Sequence, residues 1–410
     1  MQVTSVHQGD FRGILMSAER TSPKTPGDLD TRFGTNGAVD GPVGGTTHSV
    51  VSQPDGRLIY AVHSSNQYQI YRINADGLPD PSFGNNGSVT GQFQAGNNSK
   101  PTRLVSHDKK ILIVGDVLED AGGKPAAKRL NENGSPDLVF QSVVVPLPAF
   151  SSNADPCDGG VLSDGRVLIL SQRLNKDFAD RGLLTCWNNN GELDRSFGDQ
   201  GHIEIDMGSE FIRMISLAVQ DDDKFVIGMN YITQQLTASK IVLCRYTSRG
   251  KLDTSFGIDG YTHLSHEVDS YHLGKMITQP DGKLICVGNA KGTAALMMRY
   301  NANGTPDVQF NQGKEVKVEL NSERRLLTAV GVQPEDDKIV VAGWMPGSSN
   351  QMFSGRLNKD GSLDPTFANN FYGRTLRGVP YDIVMQGDRF IIAGISYRTP
   401  NAAVLYGIQR

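Results

Sequence analysis

Three patterns in this chain have the residue types and spacing to do chemistry. The first is HLSHEVDSYH, which places His263, His266 and His272 beside Glu267 and Asp269 and holds three of the chain's eight histidines. Neutral imidazole and carboxylate together suit Zn²⁺ or a similar ion. On a strand, His263 and His266 would point to opposite faces, so these three are weak metal candidates. The reading adopted is a solvated loop, with no tightly held metal and no cofactor. The second pattern is Asn-x-Asp-Gly-x-x-Asp at Asn74–Asp80 and Asn358–Asp364. It sets oxygen ligands near a turn glycine, but it lacks the alternating carboxylates and distal Glu of a calcium loop. In one copy Arg249 occupies the middle ligand slot, where a cation would be repelled. The third, Ser106-His107-Asp108-Lys109, matches SxxK but fills a turn slot between two strands. No HExxH, GxSxG or P-loop is present. No catalytic residue is therefore assigned.

The elements that must position these groups repeat. Asp-x-x-Phe occurs at Asp30/Phe33, Asp80/Phe83, Asp137/Phe140, Asp194/Phe197, Asp253/Phe256, Asp307/Phe310 and Asp364/Phe367, with Asp-to-Asp steps of 50, 57, 57, 59, 54 and 57 residues. A period of this length marks a repeat architecture. Most copies follow an Asn-x-Asn/Asp-Gly turn, as in Asn301–Phe310. After the motif comes a short alternating stretch such as Lys314–Leu320, the pattern of a half-exposed strand. A second strand then closes on a turn, Gln-Pro-Asp-Gly at Gln53–Gly56 and Gln279–Gly282. Proline fixes φ, Asp accepts a local bond and Gly takes positive φ there. The third strand is apolar on both faces (Leu58–Val62, Ile111–Val114, Ile339–Ala342) and must be buried on both. The fourth ends in Arg-apolar-Asn or a variant, as at Arg299–Asn301 and Arg356–Asn358.

Four strands per repeat, seven repeats and no helix-period segment predict an all-β fold: a seven-bladed β-propeller of four-stranded antiparallel blades. Residues 1–26 read as an N-terminal extension and residues 27–410 as the single propeller. The final repeat lacks its outer strand at the C-terminus, whereas an unpaired candidate lies near residues 37–43. The ring is therefore expected to be closed by an N-terminal strand, which would remove an exposed sheet edge.

The pattern Asp281–Gly288 followed by Arg299–Phe310 resembles the bacterial delta-60 repeat family of β-propellers. Arg245–Gly257 and Arg356–Phe367 carry the same resemblance, which spans roughly residues 27–410. It implies the propeller fold and no particular activity. Cys186 in the Arg slot and Pro136 and Pro306 before the motif Asp depart from the pattern.

Residues repeated in every blade read as scaffold. The motif Phe should plug the gap between blades, the motif Asp should accept backbone N–H bonds, and the recurrent Arg should pair with that Asp. Function then belongs where blades differ, in the connections from first to second strand: Asn97–Arg103, Ser151–Asp158, Gly208–Arg213, Asn321–Arg325 and Asn370–Tyr381. From these and the strands they enter, the candidate binding residues are Arg103, Asp158, Phe211, Arg213, Tyr271, Lys275, Arg325, Tyr372 and Tyr381. Such a surface on a rigid scaffold suits recognition. The expected function is a non-enzymatic binding module for a protein or glycan. The alternative is a hydrolase or lyase acting at the channel mouth, possibly metal-assisted.

Composition narrows the partners. With 38% apolar and 20% charged residues the chain can bury a large core. The net charge of −4 and the absence of basic blocks argue against nucleic acid. No apolar run is long enough to span a membrane. The N-terminal residues lack a signal-peptide core, so a cytoplasmic or non-classically exported, monomeric protein is expected. Cys157, Cys186, Cys244 and Cys286 show no CxxC spacing and read as reduced, buried residues.

Overall fold

The computed structural model describes residues 25–119, 122–146, 158–174, 180–208, 211–232, 239–264, 270–290, 293–319, 325–347, 350–367 and 376–410. Among them there is no α-helix; one short 3₁₀ turn covers Asn311–Gly313. Strand β1 (Ala38–Val43) precedes a run of antiparallel four-stranded sheets. The first comprises β2 (Thr46–Ser52), β3 (Leu58–Ser64), β4 (Gln67–Ile73) and β5 (Ser88–Gly91). The second comprises β6 (Asn98–His107), β7 (Lys110–Glu119), β8 (Gly122–Asn131) and β9 (Ser142–Val144). The third holds β10 (Asp158–Val161), β11 (Val167–Leu174), β12 (Asp180–Trp187) and β13 (His202–Ile205). The fourth holds β14 (Phe211–Val219), β15 (Phe225–Ile232), β16 (Ser239–Tyr246) and β17 (Tyr261–Leu264). The fifth holds β18 (Tyr271–Thr278), β19 (Leu284–Ala290), β20 (Ala294–Tyr300) and β21 (Val316–Val318).

The remaining strands are β22 (Leu326–Val332), β23 (Ile339–Met345), β24 (Gln351–Leu357), β25 (Leu376–Gln386), β26 (Arg389–Ser396) and β27 (Ala402–Gln409). With β1 they form one seven-stranded sheet in the order β1-β27-β26-β25-β24-β23-β22. Among the described residues its two parts are paired through Gln351↔Arg377 and Met352↔Leu376. At its other edge β1 pairs antiparallel with β27, Val39 opposite Leu405.

The first strands of the sheets touch in a cycle. β2 meets β6, β6 meets β10, and so on through β14, β18 and β22 to β25, which packs back against β2. The second strand of each sheet is buried on both faces, as its unbroken apolar run requires: Leu58–Val62 and Leu284–Ala290 have every residue buried. Packing is between sheets. Seven hydrophobic clusters each contain one motif phenylalanine, and all seven of these rings are at most 1% exposed. Phe83, for example, sits with Ile59 and Ala61 of one sheet and Leu104 and Ile113 of the next. Phe33 sits with Ile391 and Leu405 on one side and Val50 and Leu58 on the other.

The corner beneath each phenylalanine is ionic. Arg299 Nε donates to Asp307 Oδ2 at 2.7 Å, and its guanidinium lies 4.9 Å from the Phe310 ring centre. Arg72–Asp80, Arg129–Asp137 and Arg356–Asp364 repeat the Nε bond at 2.7–2.8 Å. The pairing is through one nitrogen rather than the two-pronged contact open to Arg. The rest of the guanidinium reaches the next sheet, where Arg72 Nη1 donates to Glu132 O and Arg129 Nη2 to Asn189 O, both at 2.6 Å. A second cation, at the start of the sheet's second strand, also approaches the Asp: Lys110, Lys283 or Lys338, 3.0–3.7 Å away. Where Cys186 replaces the Arg, that second cation is Arg166, which reaches Asp194 Oδ2 at 3.2 Å and Ser248 O at 3.0 Å. In the last sheet Gly407 holds the Arg slot, and Asp30 is met by Arg32, with Nη2 2.7 Å away, and by Arg389 at 3.1 Å. A cation lost from one strand is thus restored from its neighbour, because a buried carboxylate left alone is costly.

Candidate functional site

The repeated turns and corners lie at one end of the ring. At the other, each first strand begins after a connection that differs from sheet to sheet. Just inside this variable end the first strands carry a bulge. The register skips one residue at His48, Thr102, Ile215, Gly274, Thr328 and Tyr381. A bulge re-aims the side chains beside it. Glycines in the second strand make room for it: a Cβ on Gly115, Gly343 or Gly394 would collide with a carbonyl of the bulged strand, that of Lys100, Leu326 or Val379.

The residue after each bulge pairs with the fourth residue of the apolar run: Ser49–Ala61, Arg103–Val114, Ser216–Gly228, Lys275–Val287, Ala329–Ala342 and Asp382–Ala393. Asp158 takes the same place opposite Leu170. These seven equivalent positions form a belt around the central channel. The belt is stitched by one rule: an oxygen at the belt position accepts the N–H just beyond the belt position of the next sheet. Asp382 Oδ2 accepts from Val50 N at 3.1 Å and Ser49 Oγ from Leu104 N at 3.1 Å. Asp158 Oδ2 accepts from Leu217 N at 2.9 Å and Ser216 Oγ from Met276 N at 3.3 Å. Arg103, Lys275 and Ala329 cannot accept. After Arg103 and after Ala329 an Asp follows and accepts from its own successor, Gly159 N to Asp158 Oδ1 at 2.9 Å and Ile383 N to Asp382 Oδ1 at 3.1 Å.

Four charges share the belt. Arg103 Nε lies 3.7 Å from Asp158 Oδ1, and Arg103 Nη1 lies 3.5 Å from Asp382 Oδ2. Burial opposes ionisation of Asp158, but Lys275, Arg103 and the Leu217 and Gly159 N–H groups outweigh it and hold the carboxyl below the usual range. Burial lowers the Lys275 ammonium, and Arg103 adds to this, against the pull of Asp158 and Asp382. His48, beside Tyr381 at 5.1 Å between ring centres, is pushed down to about 3 by burial and then by Lys100 and His63. On the other side of the belt the channel widens into a cavity of about 430 Å³. Its wall runs from Arg103 past Leu217, Met276 and Ile383 to Val332 and Met385.

Of the residues singled out by sequence, Arg103, Asp158 and Lys275 meet in this belt, and Tyr381 lies one residue from it. Asp382 and Ser49 were missed. Arg213 is exposed at the variable end of β14. Two candidates are buried instead of facing solvent. Tyr271 is 1% exposed, donates to Glu315 Oε1 at 3.1 Å and lies under Lys317 Nζ at 5.0 Å. Arg325 is 1% exposed, with Nη1 2.9 Å from Met345 Sδ and its guanidinium over Phe353. Tyr372 and His266 lie outside the described residues, as does the side chain of Phe211. His263 is exposed on β17 beside Tyr261, while His272 sits on β18 near Ser239 Oγ. Among the described residues no group of three or more His, Cys, Asp or Glu is placed to hold a metal. No helix among them is long and apolar enough to cross a membrane.

Four segments, residues 53–83, 107–140, 279–310 and 335–367, match the family described as a domain of unknown function (DUF5122) beta-propeller. No curated protein matches the chain. Among solved structures it is similar to Drosophila Semaphorin 2a at 8% identity, covering 94% of this chain and 76% of that one with a TM-score of 0.55. It is similar to the polysaccharide lyase Uly1 at 9% identity, covering 92% and 91% with a TM-score of 0.50. A prolyl endopeptidase matches at 12% identity over 90% of this chain with a TM-score of 0.48, and the chain spans about half (47%) of its length. Identities this low establish the fold alone. The chain is a β-propeller repeat protein.

Proposed function

We propose that this propeller is a non-enzymatic binding module that recognises a protein or a glycan through the variable end of a seven-bladed ring. The observation that carries this reading is the division between the two ends. The corners and tight turns at one end repeat nearly residue for residue. The connections at the other end share neither length nor composition in the sequence, and the strands that follow them carry Arg213 and Tyr381. A rigid scaffold with one varied face is the usual plan of a recognition surface. The seven-blade count is supported by the seven phenylalanine clusters and the cyclic contacts of the first strands. Closure by β1 is supported by its pairing with β27.

Hydrolysis or elimination at the channel mouth would need a group that exchanges protons near neutral pH. Around the belt Asp158 is held ionised and His48 is held neutral. Cys186, Cys244 and Cys286 are buried, with thiols pushed up to about 12 by burial. The test is an immobilised glycan and peptide array probed with the wild-type chain and with Arg213→Glu. A ligand class that binds the wild type and is lost in the variant supports the reading. Turnover of an array ligand, or no binding to either array, refutes it.

A further inference from the structure

The belt contains a hydrogen-bonding imbalance that its own chemistry does not resolve. Its two carboxylates are occupied. Asp158 accepts from two backbone N–H groups, and Asp382 accepts from two more and from Ser49 Oγ at 2.8 Å. The cations are not. Arg103 Nε is buried without a hydrogen-bond partner, and its closest carboxylate oxygens, at 3.7 and 3.5 Å, are too far for a proper hydrogen bond. The Lys275 ammonium also makes no hydrogen bond among the described residues; it feels Arg103, Asp158 and Asp382 only through space. A guanidinium has five N–H donors and an ammonium three. Arg103 lines the channel cavity, whose wall beyond the belt is mostly aliphatic, and Lys275 holds the equivalent belt position three sheets on. The site therefore has donors and positive charge to offer and its acceptors already committed.

We propose that Arg103 and Lys275 form the head of a binding site for a small oxyanion, a carboxylate, sulfate or phosphate group. The body of the ligand extends into the channel cavity below the belt. The geometry suits it in three ways. Guanidinium and ammonium are the side chains that take such groups. Asp158 and Asp382 cancel the long-range charge of the empty site without using the donors, so the cations can stay half-buried until an anion arrives. The cavity of about 430 Å³ falls in the range of small-molecule sites. The site is distinct from the variable surface above it, and either can exist without the other.

The test is calorimetric titration of the full chain with inorganic phosphate, inorganic sulfate and glucuronate as separate probes. Saturable binding of at least one is expected, and the tightest of the three identifies the head group. Arg103→Gln and Lys275→Gln should each weaken it by about tenfold or more, as loss of a charge-assisted hydrogen bond does. Arg195→Gln, exposed at a repeated corner away from the belt, should bind like the wild type. Should Arg103→Gln fail to fold, Lys275→Gln decides alone. No saturable binding at millimolar concentrations, wild-type affinity in the folded belt variants, or equal loss in Arg195→Gln would each overturn the proposal.

Discussion

Replacing Arg299 by Ala isolates the energetics of one corner. The guanidinium is 5% exposed, donates to Asp307 at 2.7 Å and covers Phe310. A hydrogen bond between charged groups contributes about 1.5–3 kcal/mol, and a desolvated cation over an aromatic face about 0.5–2 kcal/mol. Removing the Arg also leaves a carboxylate that is only 3% exposed. Part of that penalty is offset, because Gln309 N still donates to Asp307 at 3.0 Å and Lys283 Nζ stands 3.7 Å away. The net loss should be about 2–4 kcal/mol. Lys283→Ala alone, with its side chain 30% exposed, should cost under about 1 kcal/mol. The double variant should lose more than the sum, since Asp307 then has no cation at all. In the corner where Cys186 holds the Arg slot, the relation reverses: Arg166→Ala should cost as much as Arg299→Ala. The assay is equilibrium urea unfolding with the midpoint read at unchanged slope. A change under about 0.5 kcal/mol for Arg299→Ala, or strict additivity with Lys283→Ala, refutes the reasoning.

Acid should unfold the protein through the same corners. The carboxyls of Asp30, Asp80, Asp137, Asp194, Asp253 and Asp364 all lie below their ordinary value, burial opposing but neighbouring cations and N–H or hydroxyl donors prevailing. A depressed folded pKa contributes stability above the unfolded value and loses it as pH falls, so the midpoint of thermal unfolding should drop below about pH 4; a flat profile down to pH 2 would contradict this. Cys244 and Cys286 should resist a thiol reagent at pH 8 in the native protein and react after denaturation, and rapid native labelling would show that they are not enclosed. Phe83→Ala should cost about 3–5 kcal/mol by emptying the space between two sheets, against under about 1 kcal/mol for truncating exposed Val139. Deleting residues through Val43 removes β1, Phe33 and Asp30 together and should leave an aggregating chain; a deletion that melts like the full protein would mean that β27 needs no partner.

Much of the scaffold was legible because each part of it recurs. The Asp-x-x-Phe period located the corners. The doubly apolar runs located the buried second strands, and the recurrent Arg announced its carboxylate partner. What could not be read was substitution between strands. Cys186 in the Arg slot stood only as a departure from the pattern, yet Arg166, twenty residues earlier, brings a cation to the same Asp, and only the fold shows that the two positions converge. The belt was half legible. Arg103, Asp158 and Lys275 stood out as charges near variable connections. Asp382 sits between Tyr381 and an apolar run, with nothing local to mark it as their equivalent. Tyr271 and Arg325 failed for the opposite reason. Each borders a polar stretch that reads as a solvated loop, but the first strand's opening residues turn inward over later strands of their own sheet. Arg325 finds Met345 and Phe353 there.

The pairing of β1 with β27 sets an order of events during synthesis. Arg398 and Asp40, which meet beside that pair, are 358 positions apart in the chain. At about 5–20 residues per second, a ribosome needs about 20–70 s to make the second after the first. Through that time β1, the first strand of the described residues, waits for its neighbour. Phe33 waits with it, a large apolar ring with half of its cluster not yet made. The five contiguous sheets can form as they emerge, each beside the one before. β1 gains its partner only once residues 402–409 have been made, and a nascent chain stalled before residue 402 leaves β1 and Phe33 without that neighbour.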